Sequence, residues 1–504
     1  MTAGRAGLWA TGTSIGLTIL VALLGPSAME PTLPGRPGQP PYSLVMHPSA
    51  YVAVALAGAA LVAGTIGLGV CMYAARRGWV PSPRALLIAG ILAAVALACL
   101  PPFGSADHLS YAGYGRMLTT GHDPYATGPN VLGADPVGRA VEDWRTTPSV
   151  YGPLATGGQA LAGLAGGASV RLTVFILSLL NLLAFAGAGL LLHWLARGDR
   201  GRQLRAALLW TVNPLLLYEL MAGAHVDTQA AALVLAAVAI VSVKIPNGSA
   251  SWRTICRWAA AGALAGLGAA VKLTAALVGG GMAWTVRRNW RSLACLAAGF
   301  ALVAGVALAV GGPHVLSQTA RGRSFVSIGS PWRVTRTVLT AAFGAGTAHV
   351  VVSVGSVTLT LILLVVLLRG LPHRPAGAAT AEAAGAALAF TLAWLFAWPY
   401  VLPWYDALAW VLLPLLAWSW VDWLLLARTA ALAIGYLPAR GPAALLPADL
   451  GWLQSVVRSG VTPAILAALT VAMVLACTRS GSLSPDRCLV TGVIGQATRH
   501  RSSS

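Results

Sequence analysis

The stretch Leu86-Leu87-Ile88-Ala89-Gly90-Ile91-Leu92-Ala93-Ala94-Val95-Ala96-Leu97-Ala98-Cys99-Leu100 carries no charge, and just beyond it stands Ala106-Asp107-His108-Leu109-Ser110-Tyr111. Such a run reads as a membrane helix. An acid at its mouth must face water or a cavity, because a carboxylate in lipid is expensive. From Asp107 the chain stays largely non-hydrophobic as far as Tyr151-Gly152-Pro153. The 504 residues hold only 14 Asp and Glu, and five of them fall here: Asp107, Asp123, Asp135, Glu142 and Asp143. A carboxylate in front of a large structured loop suits a general base in a membrane-embedded active site.

Composition carries the same reading to the whole chain. Hydrophobic residues make up 57% and charged residues 9%, against roughly 25% charged in soluble domains. A soluble protein is excluded. The net charge of +19 would suggest nucleic acid in a soluble protein. Here the arginines lie in short breaks between apolar runs, so the charge is a topology signal and no nucleic-acid partner is expected. The cysteines, Cys71, Cys99, Cys256, Cys295, Cys477 and Cys488, show no Cys-x-x-Cys spacing and avoid the loop. They read as packing residues, with no disulfide frame, metal site or cofactor. The sequence has no Gly-x-x-x-x-Gly-Lys-Ser/Thr motif, which argues against an ATP-driven pump.

Arginine clusters orient the runs. Arg76-Arg77 with Arg84, Arg197–Arg205, Lys244 with Arg253 and Arg257, Arg287-Arg288 with Arg291, Arg369 with Arg374, Arg428, and the tail after Cys477 mark the cytoplasmic side. The expected fold is therefore all-α and polytopic, of about 14 transmembrane helices with both termini in the cytoplasm. Residues 1–480 form one transmembrane domain, and 481–504 a disordered cytoplasmic tail. Leu8–Leu24 is read as an uncleaved first helix rather than a signal peptide. The last two spans are placed at 404–425 and 429–446, before a final helix at 461–477. The short, Gly-rich Leu154–Ala168 run is read as a re-entrant or interfacial helix. Residues 103–170 then form a large first extracytoplasmic loop, whose Phe103–Pro153 part sets three arginines against five acids for a net −2.

This topology gathers the remaining unusual polar residues on one face: Asp107, His225 and Asp227 after the Asn213-Pro214 break, Lys272, an Arg group at Arg321, Arg323, Arg333 and Arg336, and Asp406 beside Trp404. Each has a plain alternative. Lys272 can snorkel to headgroups, His225 and Asp227 can start a helix, the arginines can meet anionic lipid, and Asp406 can pair with an arginine. Together they suit one chemistry: cations hold the phosphate of a lipid-linked donor as it leaves, and an acid deprotonates the incoming hydroxyl.

In Asp107-His108-Leu109-Ser110-Tyr111, Gly115-Arg116, Gly121-His122-Asp123-Pro124-Tyr125, Tyr151-Gly152-Pro153, Asn213-Pro214, Gly223-Ala224-His225-Val226-Asp227, Lys272-Leu273-Thr274 and Pro399–Asp406 the chain resembles the GT-C glycosyltransferases. It is similar in particular to the actinobacterial polyprenyl-phosphomannose-dependent α-(1→6)-mannosyltransferases of lipomannan synthesis. The resemblance implies Asp107 as the catalytic aspartate, where His108 replaces the second adjacent acid of many relatives. It implies a polyprenyl-phosphate sugar donor, a mannan or glycolipid acceptor and contact with membrane lipid. Donor-phosphate contacts are expected at Lys272, Arg321, Arg323 and Arg333. Substrate contacts are expected at His108, Tyr111, Arg116, Asp123, Tyr125, Tyr151, His225, Asp227, Trp404 and Asp406. A GT-C transferase of arabinofuranose or glucose is an alternative. So is a secondary transporter or flippase, although the chain shows no half repeat and its acids cluster at one side.

Overall fold

The computed structural model describes residues 2–241, 250–316, 325–371, 379–438 and 446–482. Arg321, Arg323, Lys244 and the tail beyond Ser482 lie outside them. Among the described residues every regular element is a helix. The chain is a polytopic membrane protein: among the described residues eight helices are long and apolar enough to cross a bilayer, against the fourteen expected. The difference has a local cause: around the polar face, helices are short or broken.

The chain from Arg200 to Ala222 is one such element. Asn213 interrupts it, and its Oδ1 accepts from the backbone N–H groups of Leu215 and Leu216. Pro214 supplies no N–H and continues the helix only as a new first turn. π-helical turns, Ala207–Thr211 and Leu217–Ala222, flank the break. Lys272 similarly separates Ala250–Val271 from a short turn and the helix Ala276–Thr285. The helix Pro331–Gly370 bends at Gly344, whose φ of 83° a residue with a Cβ rarely adopts.

Arg428 requires a correction. It does not separate two spans. It is buried inside the helix Trp420–Tyr436, pairs with Asp406, and donates from Nη2 to the Leu395 carbonyl at 2.7 Å. The true break lies just before, where Pro414 ends a turn and Ser419 with Asp422 forms a capping box. An arginine whose charge is met inside the bundle is not a loop marker. Arg205 behaves alike: it is buried, and binds Asp422 at 2.6 Å and the Leu413 carbonyl at 2.9 Å.

The segment after Asp107 is folded rather than open. Asp107–Thr119 and Pro153–Gly166 are helices that pack on each other. At 14 residues, about 21 Å, the second is shorter than the roughly 30 Å hydrocarbon core. Two backbone bonds tie this layer to the bundle: Phe103 N–H to the Ala222 carbonyl at 2.8 Å and Gly152 N–H to the Val271 carbonyl at 2.9 Å. They place Asp107 over His225 and Tyr151 beside Lys272.

Candidate active site

Asp107 is the first residue of its helix, and its N–H donates to Ser105 Oγ at 3.1 Å. One turn on, the Tyr111 hydroxyl hydrogen-bonds the Asp107 carboxylate and accepts from Tyr151 OH at 3.3 Å. The two rings meet edge to face at 5.0 Å. His225 Nδ1 lies 3.6 Å from Asp107 Oδ2, longer than a hydrogen bond, as is common before substrate binds. Its ring stacks on Trp404, with centroids 3.6 Å apart and planes 13° from parallel. Its carbonyl is held by Asn181 Nδ2 at 3.0 Å and Thr228 Oγ1 at 2.9 Å. The imidazole is therefore fixed from the ring and from the backbone.

Lys272 Nζ donates to both oxygens of Asp227 at 2.8 Å and sits 3.8 Å from the Tyr405 ring centroid. Its charge is thus met within the protein. Burial pushes the Asp107 carboxyl up to about 7, with Asp143 and Asp227 adding to the rise while Lys272 and Tyr111 oppose it. Burial and Lys272 hold His225 well below the usual imidazole range, so it is neutral at physiological pH.

Asp107, Ser110, Tyr151 and Lys272 open on a cavity of about 790 Å³ whose far wall is aromatic, with Trp394, Trp398, Tyr400, Trp404 and Tyr405. The size is that of a small-ligand site, roughly 300–1,000 Å³. Trp144 also lines it, at a φ of 61° and against Phe325. A bulky residue in that conformation is strained, and strain of this kind gathers at functional sites.

Of the expected residues, the structure brings together Asp107, Tyr111, Tyr151, His225, Asp227, Lys272 and Trp404. Others make their contacts away from the cavity. His108 is fully buried behind Asp107. Arg116 pairs with Asp135 at 2.9 Å. Tyr125 OH meets Thr156 Oγ1 at 2.7 Å. Asp123 caps the turn at Tyr125 N and binds His314 Nδ1, both at 2.8 Å. Asp406 is fully buried against Arg428 and Thr429 Oγ1, the latter at 2.7 Å. None of these five lines the cavity. Arg333 opens instead on a neighbouring groove. Sequence reasoning missed Asn181, Tyr405 and Tyr436. Asn181 has a signal, a lone amide within the apolar helix Val170–Leu195. Tyr405 and Tyr436 carry none beyond being aromatic. Among the described residues, no three His, Cys, Asp or Glu side chains gather in a metal-holding group.

A part-buried acid beside a neutral histidine, under an aromatic-walled cavity in a helical membrane bundle, defines a polytopic membrane protein with an enzyme-like site. Residues 9–288 match the family described as alpha-(1->6)-mannopyranosyltransferase, N-terminal domain. That is more than half of the chain, which belongs to this family. It is 35% identical over 150 residues to a probable alpha-(1->6)-mannopyranosyltransferase of Mycolicibacterium smegmatis, covering 28% of this chain and 26% of the relative. It is 33% identical over 127 residues to alpha-(1->6)-mannopyranosyltransferase B of Corynebacterium glutamicum, covering 25% and 21%. With alpha-(1->6)-mannopyranosyltransferase A of the same organism it shares 28% over 133 residues, covering 26% and 27%. The aligned part thus spans about a quarter of each relative's length. No solved structure matches.

Proposed function

We propose that this protein transfers mannose from a polyprenyl-phosphate donor to a mannan or glycolipid acceptor, forming an α-(1→6) bond on the extracytoplasmic side of the plasma membrane. The observation that carries this reading is the Asp107 carboxylate, raised to about 7 and opening on the aromatic-walled cavity. A carboxylate of that basicity accepts a proton at neutral pH far better than an ordinary one. Aromatic faces suit the apolar face of a sugar ring, and a cavity at the end of the bundle lets an isoprenoid stay in lipid while its sugar enters.

The acceptor hydroxyl oxygen attacks the anomeric carbon as Asp107 takes its proton. The bond from that carbon to the phosphate oxygen breaks on the opposite face, and polyprenyl phosphate leaves. A β-linked donor gives an α-linked product in this single displacement, without an enzyme nucleophile. His225 and Tyr111 orient the carboxylate, and Lys272 limits how far its basicity rises. The family match and the relatives, named as mannopyranosyltransferases, support mannose over arabinofuranose or glucose.

The test presents membranes containing the protein with labelled polyprenyl-phosphate mannose, arabinofuranose and glucose. Transfer from the mannosyl donor alone is expected. Transfer from either other donor at a higher kcat/KM overturns the sugar assignment, and no transfer from any overturns the reading as a whole.

A further inference from the structure

The cavity beside Asp107 has two unlike linings. One is built by membrane helices. Phe300, Ala304 and Leu308 project at helical spacing from Trp290–Gly311, and Leu277 and Phe390 join from the helices Ala276–Thr285 and Ala379–Ala397. Trp290–Gly311 is for the most part not covered by the bundle, so this lining adjoins lipid. The other lining belongs to the loop before the helix Pro153–Gly166: Trp144, Thr147 and Val150 face the cavity, and Arg145, Thr146 and Val150 are exposed. A hydrophilic acceptor reaches Asp107 from this loop side.

The loop is fastened to the helix that carries Asp107. Asp107, Ser110 and Tyr114 lie on one face of Asp107–Thr119, and all three line the cavity. Ser110 Oγ donates to the Asp143 carbonyl at 3.1 Å, and Tyr114 OH to the Thr147 carbonyl at 3.0 Å. From the other side Asn130 N–H donates to the Arg145 carbonyl at 2.8 Å, while Thr147 N–H closes a turn onto the Trp144 carbonyl at 2.9 Å. These bonds hold Trp144 at its φ of 61°, which a bulky residue keeps only where its surroundings over-determine it. Asp143, its neighbour, adds to the rise at Asp107, so the loop stands close to the carboxylate. The Trp144 ring is half-buried, and its centroid lies 5.7 Å from that of Phe325 at 66°. The chain after Phe325 is pinned as well: Ser327 N–H donates to the Pro399 carbonyl at 3.1 Å and Ser327 Oγ to the Val401 carbonyl at 2.8 Å.

We infer that Trp144, with Phe325 against it, is the platform on which the acceptor's sugar ring stacks, and that it thereby selects a pyranoside acceptor and presents its primary hydroxyl to Asp107. The C–H face of a pyranose is apolar and lies on an indole, while its hydroxyls stay at the rim. Strain held by four hydrogen bonds keeps the indole in place before the sugar arrives, so its ordering is not charged to binding. This rests on the proposed transferase reading and adds the acceptor side of the site.

Initial rates are measured in membranes with labelled polyprenyl-phosphate mannose and methyl α-mannopyranoside as acceptor, each varied in turn. Trp144→Ala is expected to raise the acceptor KM by about 10–100-fold, the range for losing the burial of one large apolar side chain, with donor KM unchanged. Trp144→Phe keeps a ring face and should recover most of that loss. Trp144→Leu keeps only bulk and should not. An unchanged acceptor KM, a donor KM that rises with it, or a Trp144→Leu variant that binds acceptor as well as Trp144→Phe overturns the inference. Wild-type protein supplies a test that no variant's folding can obscure: an α-mannopyranoside with a diazirine on its aglycone should crosslink within residues 144–151 or at Phe325. Competition by methyl α-mannopyranoside but not by polyprenyl phosphate supports the assignment. The reverse competition, or labelling within residues 300–308 instead, overturns it. Wild-type protein that transfers no sugar at all refutes the transferase reading. Active wild type with an indifferent Trp144→Ala refutes only this inference.

Discussion

Replacing Asp107 by asparagine keeps the shape of the site and removes its basicity. The carboxylate sits 3.6 Å from His225 and is hydrogen-bonded by Tyr111, so the amide fits without a cavity. General-base catalysis contributes about 10²–10⁴-fold, or about 3–5 kcal/mol of activation free energy. Asp107→Asn should lose that much in kcat with little change in KM. The pH dependence is a second signature. Only the ionised carboxylate accepts the proton, and with the carboxyl raised to about 7 activity should be lost as pH falls through that value. The ionised fraction drops from about 0.9 at pH 8 to about 0.09 at pH 6, so kcat/KM should fall about tenfold. The assay is the initial rate of labelled mannose transfer in membranes, between pH 5.5 and 8.5, at matched protein abundance. Asp107→Asn transferring at the wild-type rate would show that the base is elsewhere. Its residual activity keeping the acid limb near 7 would assign that limb to another group.

Lys272→Met removes the cation that opposes the rise at Asp107. The acid limb of kcat/KM should move to higher pH, and an unmoved or lowered limb contradicts the proposed electrostatics. Breaking the buried Lys272–Asp227 pair from either side should also destabilise the protein by about 3–5 kcal/mol, with the double variant Asp227→Asn, Lys272→Met less affected than either single one; melting in detergent reads this. His225→Phe keeps the stack on Trp404 and removes the nitrogen facing Asp107, so kcat should fall about tenfold while donor KM holds; a change confined to KM would make His225 a binding residue. At Gly152 an added Cβ would stand 2.1 Å from the Ala270 carbonyl oxygen, so Gly152→Ala should lower the melting point and lift Tyr151 from Tyr111, and unaltered melting and activity would deny that this close approach matters. A cysteine replacing exposed Asn130 should react with a membrane-impermeant thiol reagent in intact cells and one replacing exposed Gly201 should not; the opposite pattern inverts the proposed orientation.

What the sequence determined is the class and the polar inventory. With 9% charge, a chain must span lipid as helices, and the scarcity of acids makes each one conspicuous. Asp107, His225, Asp227 and Lys272 were legible because a polar group near a membrane helix end is costly unless it is used or paired. Pairing is what only the tertiary structure decided. Asp406 and Asp227 read alike along the chain, yet one is sealed against Arg428 and the other faces the cavity through Lys272. Arg428 read as a loop marker because hydropathy sees its charge and not the distant carboxylate that cancels it. Arg458 carried no signal of its own. It sits against Tyr436 because the helix Trp420–Tyr436 meets the π-helical segment Leu453–Val461, and periodicity within one segment does not report which segments meet.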